Sequence, residues 1–140
     1  MGNRFLQPMA GCNRNKVAIL TGFAGLDTSG DVLAASPGVT EISSFGTLTH
    51  TGTGTYTFTL SDQYARILFA QVELILSVAG SERNIEARVA AVPGTGGVAA
   101  GKEIKIITRE AGSTASLVNN ATENKTLQIL ILATESGVNR

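Results

Sequence analysis

A glycine-rich segment at residues 96–102 has the spacing of a phosphate-binding loop. Gly96, Gly101 and Lys102 match the pattern G-x-x-x-x-G-K, in which backbone N–H groups and a lysine hold phosphate oxygens. The pattern requires Ser or Thr next, to bind magnesium, and a helix whose N-terminus faces the phosphates. Glu103 follows instead, and the residues after it alternate as in a β-strand. We interpret the segment as a hairpin loop and predict no nucleotide site.

The chain has one histidine, His50, and one cysteine, Cys12. These numbers exclude a disulfide framework and any metal site built from several His or Cys ligands. His50 would have to be the base of a Ser-His-Asp triad, but no Gly-x-Ser-x-Gly motif presents a nucleophile. Asp27 and Asp31 lack the further carboxylates of a calcium loop and predict an Asx or β-turn. The sequence therefore predicts a protein that is not an enzyme and has no metal or cofactor.

The composition is that of a β-protein with few charges. The 140 residues include 16 Thr, 16 Gly and no Trp, and 16% of them are charged, against about 25% in an average domain. Threonine favours strands and glycine favours tight turns. A net charge of zero argues against a nucleic-acid binder. No run of about 18 apolar residues is present, so we predict no transmembrane helix.

Two-residue alternation marks the strands and is clearest over residues 54–60. Tyr56, Phe58 and Leu60 share one face there, and threonines occupy the other. In the long strand predicted at residues 67–78, Leu68 and the apolar residues at every second position after it share one face, and this face is expected to point to the core. Strands are predicted at residues 17–23, 32–35, 39–42, 45–50, 54–60, 67–78, 85–91, 103–109 and 126–134, and one helical turn at 61–66. The last strand is apolar on both faces, which predicts a central position.

About eight short strands with turn residues between them predict an all-β sandwich or barrel. Residues 1–16 contain Arg4, Arg14 and Lys16 but no acid, and we interpret them as an extended N-terminal arm. Residues 17–140 are then a single β domain. The pattern alone leaves a jelly roll and an immunoglobulin-like sandwich open.

The order of segments resembles that of small structural proteins of tailed bacteriophages. The most specific part is the strand G-x-Y-T-x-T-L at residues 54–60, followed by the turn that contains Asp62 and Tyr64. Over about residues 17–135 the chain is similar to the capsid cement or decoration proteins of podoviruses. This resemblance implies a jelly-roll-like antiparallel β-sandwich of about eight strands with an extended N-terminal arm.

The resemblance also implies a function. Such a protein is a structural virion component that binds the outer surface of an icosahedral capsid and cements neighbouring capsomers by non-covalent contacts. Its expected partners are the major capsid protein of an HK97-like shell and further copies of itself, with a dimer favoured over a trimer and with neither nucleic acid nor membrane bound. Its location is the outer capsid surface, after synthesis in the bacterial cytoplasm. Partner contacts are expected from Arg4, Phe5, Leu6, Arg14 and Lys16.

A second hypothesis is a head- or tail-fibre module that binds carbohydrate on the host surface. Jelly rolls also serve as lectins, and Phe, Tyr or Asp in loops would contact a sugar ring. The absence of Trp speaks against this hypothesis. A third hypothesis, an enzyme that uses His50, has no supporting motif.

Overall fold

The computed structural model describes residues 5–8, 16–42, 45–64, 66–76, 85–93, 101–110, 112 and 125–134. Within them the chain is all-β, with seven strands of six or more residues and one strand of four. In chain order the strands are β1 (Phe5–Pro8), β2 (Lys16–Leu26), β3 (Gly46–Gly52), β4 (Thr55–Leu60), β5 (Arg66–Leu76), β6 (Ile85–Ala91), β7 (Glu103–Glu110) and β8 (Lys125–Thr134). No helix in this part of the chain has the length and hydropathy needed to cross a membrane.

The strands form two antiparallel sheets that pack as a sandwich. Sheet A has the order β1-β2-β8-β5, and sheet B has the order β3-β4-β7-β6. The first long strand, β2, pairs with the last, β8, and β4 pairs with β7. This nesting of early strands against late ones makes the sandwich jelly-roll-like. The last strand of an immunoglobulin domain lies at a sheet edge, whereas β8 lies between β2 and β5, as its two apolar faces predicted.

The core lies between the sheets and is built from the apolar half of each alternating strand. Tyr56, Phe58 and Leu60 of β4 are at most 2% exposed, as the alternation predicted. Burial of side chains of this size contributes about 1.5–3 kcal/mol each. The same buried cluster contains alternate residues of β8, namely Leu127, Ile129, Ile131 and Ala133.

A bulge in β5 reverses the predicted direction of its first side chains. Ile67 pairs with Ala133 and Phe69 pairs with Leu132, so Leu68 is the extra residue between them. Leu68 is 41% exposed, and Ile67 packs against the core instead. The prediction that Leu68 faces the core is wrong, because one inserted residue shifts the two-residue period by one position.

The helical turn predicted at residues 61–66 is also wrong. Residues 61–64 form a bend without helical structure, and Arg66 already begins β5. The Ser61 N–H donates to the Phe45 carbonyl oxygen at 2.9 Å. This long-range bond fixes the connection between β4 and β5, and such tertiary contacts override a weak local helix preference.

The connection from β2 to β3 covers part of the outer edge of β2. The Glu41 N–H donates to the Phe23 carbonyl oxygen at 2.8 Å, and the Leu33 N–H donates to the Gly25 carbonyl oxygen at 2.9 Å. The short strands predicted within residues 32–42 occur only as isolated bridges in this connection. Their hydrogen bonds nevertheless satisfy the backbone of β2 where β1 does not reach.

Part of the predicted N-terminal arm lies on its own domain. β1 pairs with the beginning of β2, so that Phe5 lies opposite Ile19 and Pro8 lies opposite Lys16. These residues are extended, as the arm prediction expected. In this structure they form one edge of sheet A.

Candidate interaction surface

The segment that resembles a phosphate-binding loop leads into a strand. Residues 94–100 lie outside the described residues, Gly101 and Lys102 form a bend, and Glu103 begins β7. The Lys102 ammonium donates to the Ser61 carbonyl oxygen at 3.1 Å. The prediction that a strand follows this motif is confirmed, and a strand offers phosphate no helix N-terminus.

His50 fastens a loop to the β3–β4 hairpin. Its Nδ1 lies 2.7 Å from Asp31 Oδ1, and its ring stacks on Tyr56 with 5.0 Å between the ring centroids. The Tyr56 hydroxyl donates to the Gly30 carbonyl oxygen at 2.8 Å. Burial, with a smaller contribution from the charges of Asp31 and Asp27, raises the pKa of Tyr56 to about 12.

This cluster has the geometry of a structural contact. The Nε2 atom of His50 is buried and has no hydrogen-bond partner among the described residues, whereas a general base must reach a substrate proton. Asp27 Oδ1 accepts from the N–H groups of Ser29 and Asp31 at 2.8 and 2.9 Å, which confirms the predicted Asx turn. The described residues contain no group of three His, Cys, Asp or Glu side chains able to hold a metal ion.

Sheet A presents a broad surface on the side away from the core. Three adjacent strands, β2, β8 and β5, place side chains there in rows that cross the sheet. We call this surface the outer face of sheet A. Four of its rows are Ile19, Leu132 and Phe69; Thr21, Leu130 and Gln71; Phe23, Gln128 and Glu73; and Gly25, Thr126 and Ile75.

The outer face of sheet A exposes apolar side chains and carries few charges. Phe69 and Ile75 are 44% and 43% exposed, and Ile19 and Leu132 are half-buried. Glu73 is the single charged residue in the four rows, and no ion pair joins it to another described residue. Exposed apolar side chains of this kind make the face a candidate interaction surface.

An open cleft of about 420 Å³ lies on this outer face. Phe23 lines it together with Gln71, Gln128, Glu41 and Glu73. These residue types combine an aromatic ring with hydrogen-bond donors and acceptors. The cleft is therefore suited to a polar ligand with one apolar face.

The residues predicted to contact a partner are only partly placed by the structure. Phe5 and Leu6 belong to β1, at the edge of sheet A, and Lys16 is the first residue of β2. Arg4 and Arg14 lie outside the described residues.

Sequence reasoning did not identify the outer face of sheet A as a site. The signal was present in the apolar residues on both faces of β8, which we interpreted only as a central position. The mixed outer pattern of β5, with Phe69 and Ile75 beside Gln71 and Glu73, was a second signal.

The fold and this surface define a two-sheet antiparallel sandwich with an open, sparsely charged face. Comparisons with protein-family models, curated proteins and solved structures find no match. Similarity therefore assigns no family to the chain, and its function is inferred from the residues and their geometry.

Proposed function

We propose that this protein is a structural virion protein that binds the outside of an icosahedral bacteriophage capsid and cements neighbouring capsomers. The observation that carries the proposal is the outer face of sheet A, where apolar and amide side chains lie open in rows. The phage setting comes from the resemblance over residues 17–135. The proposed partners are the major capsid protein of an HK97-like shell and further copies of this chain.

Cementing depends on contact area and requires no reaction. Because Glu73 is the single charge in these four rows, docking of this part of the face desolvates little charge. The row of Ile19, Leu132 and Phe69 supplies apolar area that leaves water on contact. Each copy can bind weakly, because many copies on one closed lattice act together.

The basic N-terminal residues add an electrostatic part to the proposal. Arg4, Arg14 and Lys16 are complementary to an acidic shell surface, and no acid occurs in residues 1–16. Deletion of residues 1–16 is expected to weaken shell binding while the β domain remains folded by circular dichroism. Unchanged shell binding by a folded deletion variant would remove these residues from the proposal.

The decisive experiment is co-sedimentation of the purified protein with phage shells that lack it. We expect saturable binding at a fixed copy number, and a higher melting temperature of the loaded shells. The free protein and shells of an unrelated phage serve as controls. Absence of binding by the folded protein would contradict the proposal.

A carbohydrate-binding fibre module is the second candidate function, and the cleft at Phe23 favours it. Sugars present an apolar ring face and a rim of hydroxyl groups, which match the aromatic ring and the Gln71 and Glu73 side chains. A glycan array tests this candidate, with Phe23→Ala as the variant expected to lose any bound sugar. No bound glycan, together with shell binding, would exclude it.

A further inference from the structure

The cleft on the outer face of sheet A carries negative charge. Among the described residues that line it, Glu41 and Glu73 are charged and none is Lys, Arg or His. No ion pair joins either glutamate to another described residue. Glu41 Oε1 accepts from the Gly38 N–H at 2.9 Å, whereas Glu73 lies exposed on β5. The charge of the cleft is therefore available to a cationic ligand.

The order of the lining residues across the sheet is set by four neighbouring segments. The Glu41 N–H donates to the Phe23 carbonyl oxygen at 2.8 Å. Phe23 of β2 lies opposite Gln128 of β8, and Gln128 lies opposite Glu73 of β5. Since neighbouring strands are about 4.8 Å apart, the backbones at Phe23 and Glu73 are roughly 10 Å apart. A planar group placed over Gln128 therefore has the aromatic ring on one side and the acidic residue on the other.

Docking of this face makes the charge of Glu73 costly. Glu73 belongs to the rows that the proposed function places against a partner. A carboxylate that leaves water without an oppositely charged group loses much more free energy than an apolar side chain gains. A partner that covers the cleft therefore has to bring a cation to it, and a complementary charge of this kind also fixes how the two proteins are oriented.

We propose that the cleft receives an arginine side chain of the partner protein, with its guanidinium group stacked on Phe23 and paired with Glu73. A guanidinium is planar, stacks on aromatic rings and offers two parallel N–H donors to a carboxylate. Its remaining N–H groups are donors only, and the side-chain carbonyl oxygens of Gln71 and Gln128 are acceptors. A lysine ammonium has no planar face and is more strongly hydrated, so it fits the cleft less well.

This inference deepens the proposed function, because it names the chemical group by which the partner is recognised. The identity of the partner as a capsid protein rests on the proposed function. The chemistry of the cleft is measured without a capsid.

Titration of the full chain with N-acetylarginine methylamide, followed by heteronuclear NMR, tests the inference. We expect saturable shifts of the signals of Gln71, Glu73 and Gln128, with a dissociation constant in the millimolar range. The citrulline analogue has nearly the same shape but no charge and should not bind. Equal binding of the citrulline analogue would overturn the inference, as would the absence of shifts at tens of millimolar arginine analogue.

Two substitutions in the cleft separate the charge from the ring. Glu73→Gln keeps a side chain of the same size and should weaken binding of the arginine analogue about tenfold. Phe23→Leu keeps an apolar side chain, removes the aromatic face and should weaken binding by a smaller factor.

Glu103→Gln is the matched control for the loss of charge. Glu103 lies on β7 of sheet B and pairs with Lys105 at 3.1 Å. This variant should bind the arginine analogue as the wild type does. Equal weakening by Glu73→Gln and Glu103→Gln would show that only the net charge of the protein matters, and would overturn the inference.

A carbohydrate in the same cleft gives a different result. Sugar hydroxyl groups hydrogen-bond to a glutamine as well as to a glutamate, so Glu73→Gln should change the binding of a neutral glycan little. A neutral glycan that binds at the cleft of a protein that does not bind the arginine analogue would replace arginine as the ligand.

The proposed function and the arginine contact fail separately. Shell binding that is equal in the wild type and in Glu73→Gln would retain the capsid role and remove the arginine contact from it. Binding of the arginine analogue that depends on Glu73, without co-sedimentation with shells, would retain the cation site and remove the capsid role.

Discussion

The two sheets bury their inner faces alike but present different surfaces to solvent. On sheet B, the outward side chains of β4, β6 and β7 bond to one another. Arg109 Nε lies 2.9 Å from Glu86 Oε1, and Lys105 Nζ lies 2.9 Å from Thr57 Oγ1. On the outer face of sheet A, by contrast, Glu73 has no ion-pair partner among the described residues.

This difference shows which surface gains more by binding a partner. When a partner binds a polar surface whose groups already bond to each other, those hydrogen bonds and ion pairs must break or the charged groups must lose their water. An open apolar surface gains free energy when it leaves water. We therefore propose sheet A as the docking surface and expect the outer surface of sheet B to remain in solvent.

The largest expected effect is on shell binding. Leu132→Lys places a charge in the centre of the apolar row between Ile19 and Phe69, and should weaken binding to shells about 100-fold. Co-sedimentation at increasing protein concentration measures this change.

Ile107→Lys is the control for that variant. Ile107 is also half-buried and lies outward on a central strand, but in sheet B. The Ile107→Lys variant should leave shell binding unchanged. Equal losses in the two variants would remove the distinction between the two faces.

The inner faces should instead be equally intolerant of added volume. A Cβ at Gly46 of β3 would collide with the Phe58 ring, and a Cβ at Gly22 of β2 would lie 2.8 Å from the Glu41 carbonyl oxygen. Gly46→Ala and Gly22→Ala should each lower the free energy of unfolding by about 1–3 kcal/mol. Urea denaturation measures both.

Gly52→Ala is the matched control within β3. The atom nearest to its added Cβ is Thr55 Oγ1, at 3.1 Å and at an exposed position. Its loss of stability should be clearly smaller than that of Gly46→Ala. A tolerated Gly46→Ala would contradict the close approach of β3 to the Phe58 ring.

Tyr56→Phe tests the contact by which sheet B holds the loop at Gly30. Loss of the hydroxyl leaves the Gly30 carbonyl oxygen without this bond and should cost about 1 kcal/mol of stability.

The contribution of Tyr56 to stability also depends on pH. Because the pKa of Tyr56 in the folded protein is raised from 10 to about 12, the contribution of the protonated Tyr56 to stability is complete below pH 10 and is lost as the pH rises through about 12. Unfolding curves of both proteins from pH 8 to 12 measure it, and an identical alkaline loss in Tyr56→Phe would exclude Tyr56 as the cause.

The smallest expected effect is the pH dependence of the ion pair on sheet B. The hydrogen bond from Arg109, with the charge of Arg88, lowers the pKa of Glu86 below 4.5, although burial opposes this. The contribution of the ionised Glu86 side chain to folding stability is therefore present above pH 4.5, and it is lost as the pH falls through the lowered folded-state pKa. Glu86→Gln should be less stable than wild type at pH 7, and this difference should disappear in acid.

Glu73→Gln is the corresponding variant on sheet A. Since Glu73 is not ion-paired with a described residue, its substitution should change stability little at pH 7. A loss of stability at pH 7 in Glu73→Gln as large as that in Glu86→Gln would show that the two faces are electrostatically alike.

Local alternation predicted the strands well, because a half-buried strand repeats every two residues. The pattern of Tyr56, Phe58 and Leu60 predicted both the position of β4 and the face that it buries. The apolar residues on both faces of β8 predicted its central place in sheet A. The turn at Asp27 followed from side-chain chemistry within five residues.

The sequence did not predict features that depend on distant pairing. The bulge at Leu68 exists only in the register of β5 against β8. The contact between His50 and Asp31 joins residues 19 positions apart in the chain. No local pattern of residue types identifies either feature.

The sequence by itself determined an all-β chain with few charges, since strand propensity and two-residue alternation are local properties. The tertiary structure alone decided which strands lie at the edges and which apolar side chains remain open. Leu132 and Leu127 are both leucines of β8, yet Leu127 is buried in the core and Leu132 lies on the outer face. In a strand that is apolar on both faces, such as β8, the face that turns to the core becomes fixed only when the two sheets pack, because burial depends on the neighbours that a residue acquires.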